Sequence, residues 1–320
     1  MEKLKSLKII YMGTPSFSAL LLEALINEGF NIIGVVTKED APVGRKKVLT
    51  PSPVKEVALK HNIPVFTPHR IKLDHDFIIN AKPDVILTFA YGQIVPKAVL
   101  DAPKYKCLNF HGSILPKYRG SSPIQMALIN NELETGVSLM EMVEKMDAGV
   151  VYGIERFPLS SHDNFATVSL KMVEASLSLI KTVLPSIISG ENKGIPQDEN
   201  EVTFAPLLKP VDEELNLEND DVKRVLGKIQ AFSPDTGINI LYNNELLKIY
   251  EASLYNNQED KVSGTLFISS QSELILQVKG GQIKIMTLQK SGKSKVDARS
   301  FINGEKAKLP TILKMRDKDE

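Results

Sequence analysis

Along the first 190 residues, short apolar runs alternate with segments of helical period. Residues 8–12 form the first run. The turn Gly13-Thr14-Pro15-Ser16 follows, with Pro15 suited to opening a helix. Residues 17–28 repeat their apolar positions at helical spacing and stop at Gly29. A second strand is expected over 31–37, a loop rich in Gly, Pro and basic residues over 38–53, a helix over 54–61 and a short strand over 63–66. Part of a helix is expected at 77–81. The uninterrupted apolar run at 85–90 reads as a buried strand. The next strand covers 107–111, followed by a helix over 123–130, strands over 136–141 and 149–157, and a long amphipathic helix over 165–188. This rhythm predicts an α/β fold with a doubly wound, mostly parallel sheet, in which ligands bind at the carboxyl ends of the strands.

The pattern then changes. Residues 191–217 are rich in Pro, Asn, Asp and Glu and read as a connector. Val222, Val225, Leu226 and Ile229 share one helical face within 221–232. Beyond them, strands are expected over 238–242, 246–254, 264–268, 274–278 and 282–288, as in a small OB-like β-barrel. The domains are therefore set at 1–190, 191–217 (linker) and 218–320.

Composition adds bounds rather than chemistry. A chain of 320 residues, 42% hydrophobic and 24% charged, has the make-up of a globular protein of about two domains. One cysteine, Cys107, excludes a disulfide framework and fits a reducing cytosol. The N-terminus lacks the apolar core of a signal peptide, and no uninterrupted apolar run approaches a membrane span. A cytoplasmic protein with no membrane partner, acting as a monomer, is expected. The formal net charge is zero, but from Leu276 to Arg316 ten Lys or Arg stand against Asp297 and Glu305. That local excess on a small barrel is the electrostatic footprint expected of a nucleic-acid binder, with a solvated basic face as the plainer alternative.

The candidate chemistry lies at the end of the 107–111 strand. Asn109 and His111 are two residues apart, so in an extended segment they aim an amide and an imidazole at one small volume. The chain then breaks at Gly112-Ser113 and turns at Leu115-Pro116. Asp147, in Met146-Asp147-Ala148-Gly149 between two strands, supplies a carboxylate able to orient a His ring and favour its protonated form. Amide, imidazole and carboxylate without a nucleophile suit direct acyl transfer. No Gly-x-Ser-x-Gly elbow and no Cys or His pair at zinc spacing is present, so no metal is expected. Gly13 lacks the other glycines of a dinucleotide fingerprint, and no acidic residue closes the second strand. The long loop carrying Arg45, Lys46 and Lys47 is basic.

Several segments together resemble one family. They are Tyr11-Met12-Gly13-Thr14-Pro15-Ser16-Phe17, Val43-Gly44-Arg45, Ala90-Tyr91-Gly92-Gln93-Ile94-Val95-Pro96, the run from Asn109 to Gln125, Met146-Asp147-Ala148-Gly149 and the run from Asp297 to Gly304. The chain resembles the methionyl-tRNA formyltransferases, a branch of the folate-dependent formyltransferases. The resemblance implies a catalytic trio of Asn109, His111 and Asp147. It also implies a site for 10-formyltetrahydrofolate, the formyl donor, along Ser113, Ile114, Leu115 and Pro116. The acceptor it implies is initiator methionyl-tRNA, met by the loop with Arg45, Lys46 and Lys47 and by Lys290, Lys293 and Lys295 of the barrel. A formyltransferase acting on a nucleotide sugar or purine precursor is the alternative. A non-catalytic RNA-binding module is a further one, against which the intact trio speaks. The chain departs from the family pattern around 203–208 and 232–237, where the usual Lys-rich segment and Trp are absent.

Overall fold

The computed structural model describes residues 6–44 and 46–316. The chain gathers into two compact units. One holds the chain up to Pro123 together with Thr135–Phe157 and Ser169–Phe204; the other holds Ile124–Glu134, Pro158–Val168 and the chain from Ala205 onward.

The order of elements begins β1 (Ile9–Gly13), α1 (Ser16–Asn27), β2 (Ile32–Val36), β3 (Ala41–Val43), β4 (Val48–Thr50), α2 (Pro53–Lys60), β5 (Val65–Phe66) and α3 (Asp76–Ala81). It continues with β6 (Val85–Phe89), α4 (Lys97–Leu100), β7 (Lys106–His111), β8 (Arg119–Gly120), α5 (Pro123–Ile129), β9 (Glu134–Glu141), β10 (Val151–Pro158) and α6 (Phe165–Ser189). Seven strands form one sheet in the order β10-β9-β7-β6-β1-β2-β5. The pairs β1–β2, β1–β6, β2–β5 and β6–β7 are parallel, and β7–β9 is antiparallel. The expected doubly wound, mostly parallel sheet is therefore present. Every residue of β1 and β6 is buried, which is why these strands read as continuous apolar runs rather than as an alternation. Gly13 ends β1 where the chain passes tightly into α1: a Cβ there would lie 2.9 Å from the Phe89 carbonyl oxygen. Close packing accounts for this glycine without any dinucleotide.

The expected loop over 38–53 differs: it contains the β3–β4 hairpin, paired from Ala41–Thr50 to Val43–Val48. Both strands are largely exposed, so no buried face stamps a period on the sequence. Helix α6 is, by length and composition, able to cross a bilayer. Within its unit it buries Met172, Ala175, Leu179, Ile180 and Leu184, and its Lys181 pairs with Glu28 at 2.8 Å.

After β11 (Phe204–Ala205), the second unit contains α7 (Val222–Phe232), β12 (Ile238–Tyr242), β13 (Glu245–Asn256), β14 (Thr265–Ile268), β15 (Leu274–Val278), β16 (Gly281–Lys290), β17 (Val296–Asp297), α8 (Ala298–Glu305) and β18 (Thr311–Ile312). Its antiparallel sheet runs β12-β13-β16-β15-β14-β18, with β17 also on β16. Leu241 and Lys314 exchange backbone hydrogen bonds of 2.9 and 3.0 Å, closing the path into an OB-like barrel. The interior is aliphatic, and Val222, Val225 and Ile229 of α7 join it. So do Leu215 and Leu217, from the end of the expected connector. Asp221 caps α7 by accepting from the Arg224 N–H, and Asp297 caps α8 by accepting from the Ser300 N–H.

Candidate functional site

Strand β7 carries Asn109 and His111 on one face and Leu108 and Phe110 on the other. Register places Thr88 beside Asn109 on β6, with Met140 opposite Asn109 and Ser138 opposite His111 on β9. Asn109 is half-buried and its amide makes no hydrogen bond among the described residues. The Thr88 hydroxyl is buried and has no partner either. Two unpartnered polar groups thus stand side by side at the carboxyl ends of β6 and β7, the place where doubly wound sheets take their ligands.

His111 is 4% exposed. Its Nε2 lies 2.8 Å from the carbonyl oxygen of Tyr118. A carbonyl only accepts, so Nε2 carries hydrogen and donates. The chemistry of the ring is left to Nδ1, which sits 3.7 Å from Oδ2 of Asp147. That is ion-pair distance and longer than a direct hydrogen bond. Asp147 occupies the left-handed region, φ +49°, and its Oδ2 accepts the Gly120 N–H at 2.8 Å. The backbone at Tyr118–Gly120 thereby holds the imidazole through a carbonyl and the carboxylate through an N–H.

The loop between them is a corner tied by side-chain hydrogen bonds. The Ser113 hydroxyl donates to the Lys117 carbonyl at 2.6 Å, while Ser138 Oγ donates to the Ser113 carbonyl and accepts the Leu115 N–H. Of the residues expected to bind folate, Ser113 and Leu115 are turned inward, and Ile114 and Pro116 are half-buried. A second loop leaves the end of β6, with Ala90 at φ +53° and Gly92 at φ +88°. Gln93 fixes it by accepting the Ile71 N–H and donating to the Pro68 carbonyl, leaving Ile94 90% exposed. In the sequence this segment stands out only as one of those that carry the family resemblance.

The expected tRNA-binding residues divide. Arg45 lies outside the described residues, and Lys46 and Lys47 are exposed at the β3–β4 turn. Lys290 pairs with Glu305 at 2.8 Å and lies over the Tyr242 ring. Lys295 donates to the Pro234 carbonyl and lies 3.7 Å from the Tyr250 ring centre. Lys293 is exposed and makes no ion pair among the described residues. No group of three His, Cys, Asp or Glu placed to hold a metal ion occurs among the described residues.

A doubly wound sheet that carries an amide and a His–Asp pair at its strand ends, followed in the chain by an OB-like barrel, is an arrangement suited to group transfer. Residues 6–184 match the family model for formyl transferase, and residues 207–306 match formyl transferase, C-terminal domain. The chain belongs to the formyl transferase family. It is 38% identical to the methionyl-tRNA formyltransferase of Halalkalibacterium halodurans, covering 95% of this chain and 96% of that one. Identity to the methionyl-tRNA formyltransferase of Dictyoglomus thermophilum is also 38%, over 93% of this chain and 97% of the relative. Among solved structures, the fold matches HypX from Aquifex aeolicus in complex with tetrahydrofolic acid, with TM-score 0.66, 18% identity, and coverage of 95% of this chain and 48% of that one. It also matches methionyl-tRNA formyltransferase from Clostridium thermocellum, with TM-score 0.54, 17% identity, and coverage of 85% and 98%.

Proposed function

We propose that this protein transfers the formyl group of 10-formyltetrahydrofolate to the free amino group of initiator methionyl-tRNA, by direct attack and without a covalent enzyme intermediate. The observation that carries the reading is the His111–Asp147 pair beside an unpartnered Asn109 amide, with no nucleophile among them. Relatives that carry the name methionyl-tRNA formyltransferase and match nearly the whole chain, barrel included, support the acceptor.

The unpartnered Asn109 amide and Thr88 hydroxyl suit a formamide, which presents a carbonyl oxygen that accepts. The folate co-substrate supplies the formyl carbon when bound. Asn109 donates to the formyl oxygen, where negative charge develops as the amine attacks; one such donor is worth roughly 10²–10³ in rate. Because the Nε2 hydrogen of His111 is tied to Tyr118, the proton that the ring delivers to the same charge or to the leaving nitrogen is one carried at Nδ1. Asp147 stabilises the charged ring and helps remove the amine proton. Ile114 and Pro116 flank the donor. Residues 1–190 act as the catalytic domain, 191–217 as the linker and 218–320 as the tRNA-binding domain, in a cytoplasmic monomer that needs neither membrane nor metal. Lys46, Lys47 and Lys293, with Arg45, contact the tRNA; Lys290 and Lys295 contribute from positions already in contact with the barrel.

The test is formyl transfer from labelled 10-formyltetrahydrofolate to methionyl-tRNA, to an amino sugar nucleotide and to a purine-precursor amine. Methionyl-tRNA is expected to be the acceptor, and Asn109→Ala, His111→Ala and Asp147→Ala each to lose at least about a hundredfold in kcat. A His111→Ala enzyme within twofold of wild type would overturn the assignment.

A further inference from the structure

Asp147 is held from two sides. Its carboxylate takes the Gly120 N–H, and its carbonyl oxygen accepts from Gln197 Nε2 at 2.8 Å. The second hydrogen on that nitrogen goes to the Gly149 carbonyl, also at 2.8 Å. Gln197 Oε1 accepts from Nε of Arg119 at 3.0 Å. Arg119 is 1% exposed and is the residue between Tyr118 and Gly120. The contacts form a closed circuit: Gly120 to the Asp147 carboxylate, the Asp147 carbonyl to Gln197, and Gln197 to Arg119, which adjoins Gly120 in the chain. Three consecutive residues thereby serve one site. The Tyr118 carbonyl holds His111, the Arg119 side chain holds Gln197, and the Gly120 N–H holds Asp147.

The circuit is anchored outside as well. Arg119 Nη2 donates to Glu199 at 2.9 Å, and Glu199 also takes Lys145 at 2.7 Å, two residues before Asp147. The Arg119 guanidinium, with Lys145 second, holds the Glu199 carboxyl down at about 2, so it is charged at any working pH. Thr203 straps the same triplet, accepting the Tyr118 N–H on its hydroxyl and the Arg119 N–H on its carbonyl.

Such a circuit has work to do. A non-glycine residue at φ +49° is strained and persists only where its surroundings over-determine it. The His111–Asp147 separation of 3.7 Å is set by where that strained backbone sits. Gln197 reaches the Asp147 backbone and not its carboxylate, so it controls position without altering charge.

We propose that Gln197, seated on Arg119, is a positioning residue for formyl transfer. It fixes the left-handed backbone of Asp147 and thereby the reach of its carboxylate to His111. The inference rests on the formyl-transfer reading above.

The test compares Gln197→Ala with wild type in steady-state and single-turnover formyl transfer. The expected result is a kcat at least tenfold lower, with the KM for 10-formyltetrahydrofolate within twofold. Gln197→Glu keeps a partner for Arg119 but sets an acceptor against two carbonyl acceptors. It is expected to lose kcat equally while remaining folded by circular dichroism, and it carries the test should the Ala variant fold poorly. The decisive arm is a cycle with Asp147→Asn, which keeps the backbone and tolerates φ > 0. A residue acting through the Asp147 carboxylate costs nothing further there, so the double variant should match Asp147→Asn within twofold. A general structural role would add its full loss. Full additivity, or a folded Gln197→Glu enzyme with wild-type kcat, overturns the inference while leaving the function intact. Absence of formyl transfer by the wild-type protein overturns both.

Discussion

Cys107 and Asn109 share a strand and a face, yet the structure gives them opposite fates. Cys107 is 2% exposed within an aliphatic cluster, and burial pushes its thiol up to about 12. A raised thiol value means less thiolate at every pH below it than for the ordinary group. Ellman's reagent should therefore find no reactive thiol in the folded protein at pH 7.5 and one per chain in denaturant. Rapid labelling without denaturant would refute the burial. Asn109, two residues on, ends at the mouth of the sheet with its amide unpartnered. The alternation of β7 and the apolar strand before it were enough to pair Asn109 with His111 in the sequence. Asp147 was legible only through its company, because a turn Asp carries no local mark of function. Gln197 was not legible at all: its partners lie 48 to 78 residues away, and nothing near it distinguishes it from any polar residue of a connector.

At the level of elements, buried faces decided what could be read. The sheet strands and α6 announce themselves because burial imposes a period or an apolar run. The β3–β4 hairpin has no buried face, and α8 buries only Phe301 and Ile302 among eight residues, so both escaped. The residues expected as a connector hold Gln197 and Thr203 against the corner that follows β7 at one end and Leu215 and Leu217 in the barrel core at the other. Helix α7 shows how packing overrides propensity. Gly227 lies in its interior, where glycine ordinarily costs about 1 kcal/mol relative to alanine. Here a Cβ would stand 2.5 Å from the Leu128 carbonyl oxygen and 2.9 Å from that of Ile129, at the end of α5 in the same unit. These are backbone atoms and cannot turn aside. Gly227→Ala should therefore destabilise by about 1–3 kcal/mol, opposite in sign to the helix scale. A urea titration followed by circular dichroism checks it, and a raised midpoint would show that α5 gives way.

For the whole molecule, a net charge of zero conceals an uneven division of labour among lysines. Lys290 belongs to the barrel's own structure. Its ammonium sits 2.8 Å from Glu305, and this ion pair foremost holds the Glu305 carboxyl down at about 2, with help from Lys308 and Tyr242. A carboxyl depressed below its ordinary 4.5 contributes stability that is present above pH 4.5 and lost as the pH falls toward 2. Lys293 sits at the turn between β16 and β17, its backbone fixed by hydrogen bonds to Lys290 and Gln289 and its side chain exposed. Neutralising each should separate structure from binding. Lys290→Ala is expected to lower the melting temperature at pH 7, with a deficit that shrinks as the pH drops below 4.5. Lys293→Ala should leave the melting temperature alone and weaken tRNA binding. A lysine that meets a phosphate releases counterions, so removing it should reduce the slope of log K against log salt by about one. Folate KM should stay unchanged in the Lys293 variant, since the barrel and not the β7 corner carries that charge. Equal salt slopes for Lys293→Ala and wild type would place the tRNA elsewhere on the molecule, with the β3–β4 turn and its Lys46 and Lys47 as the surface to examine next by the same measurement.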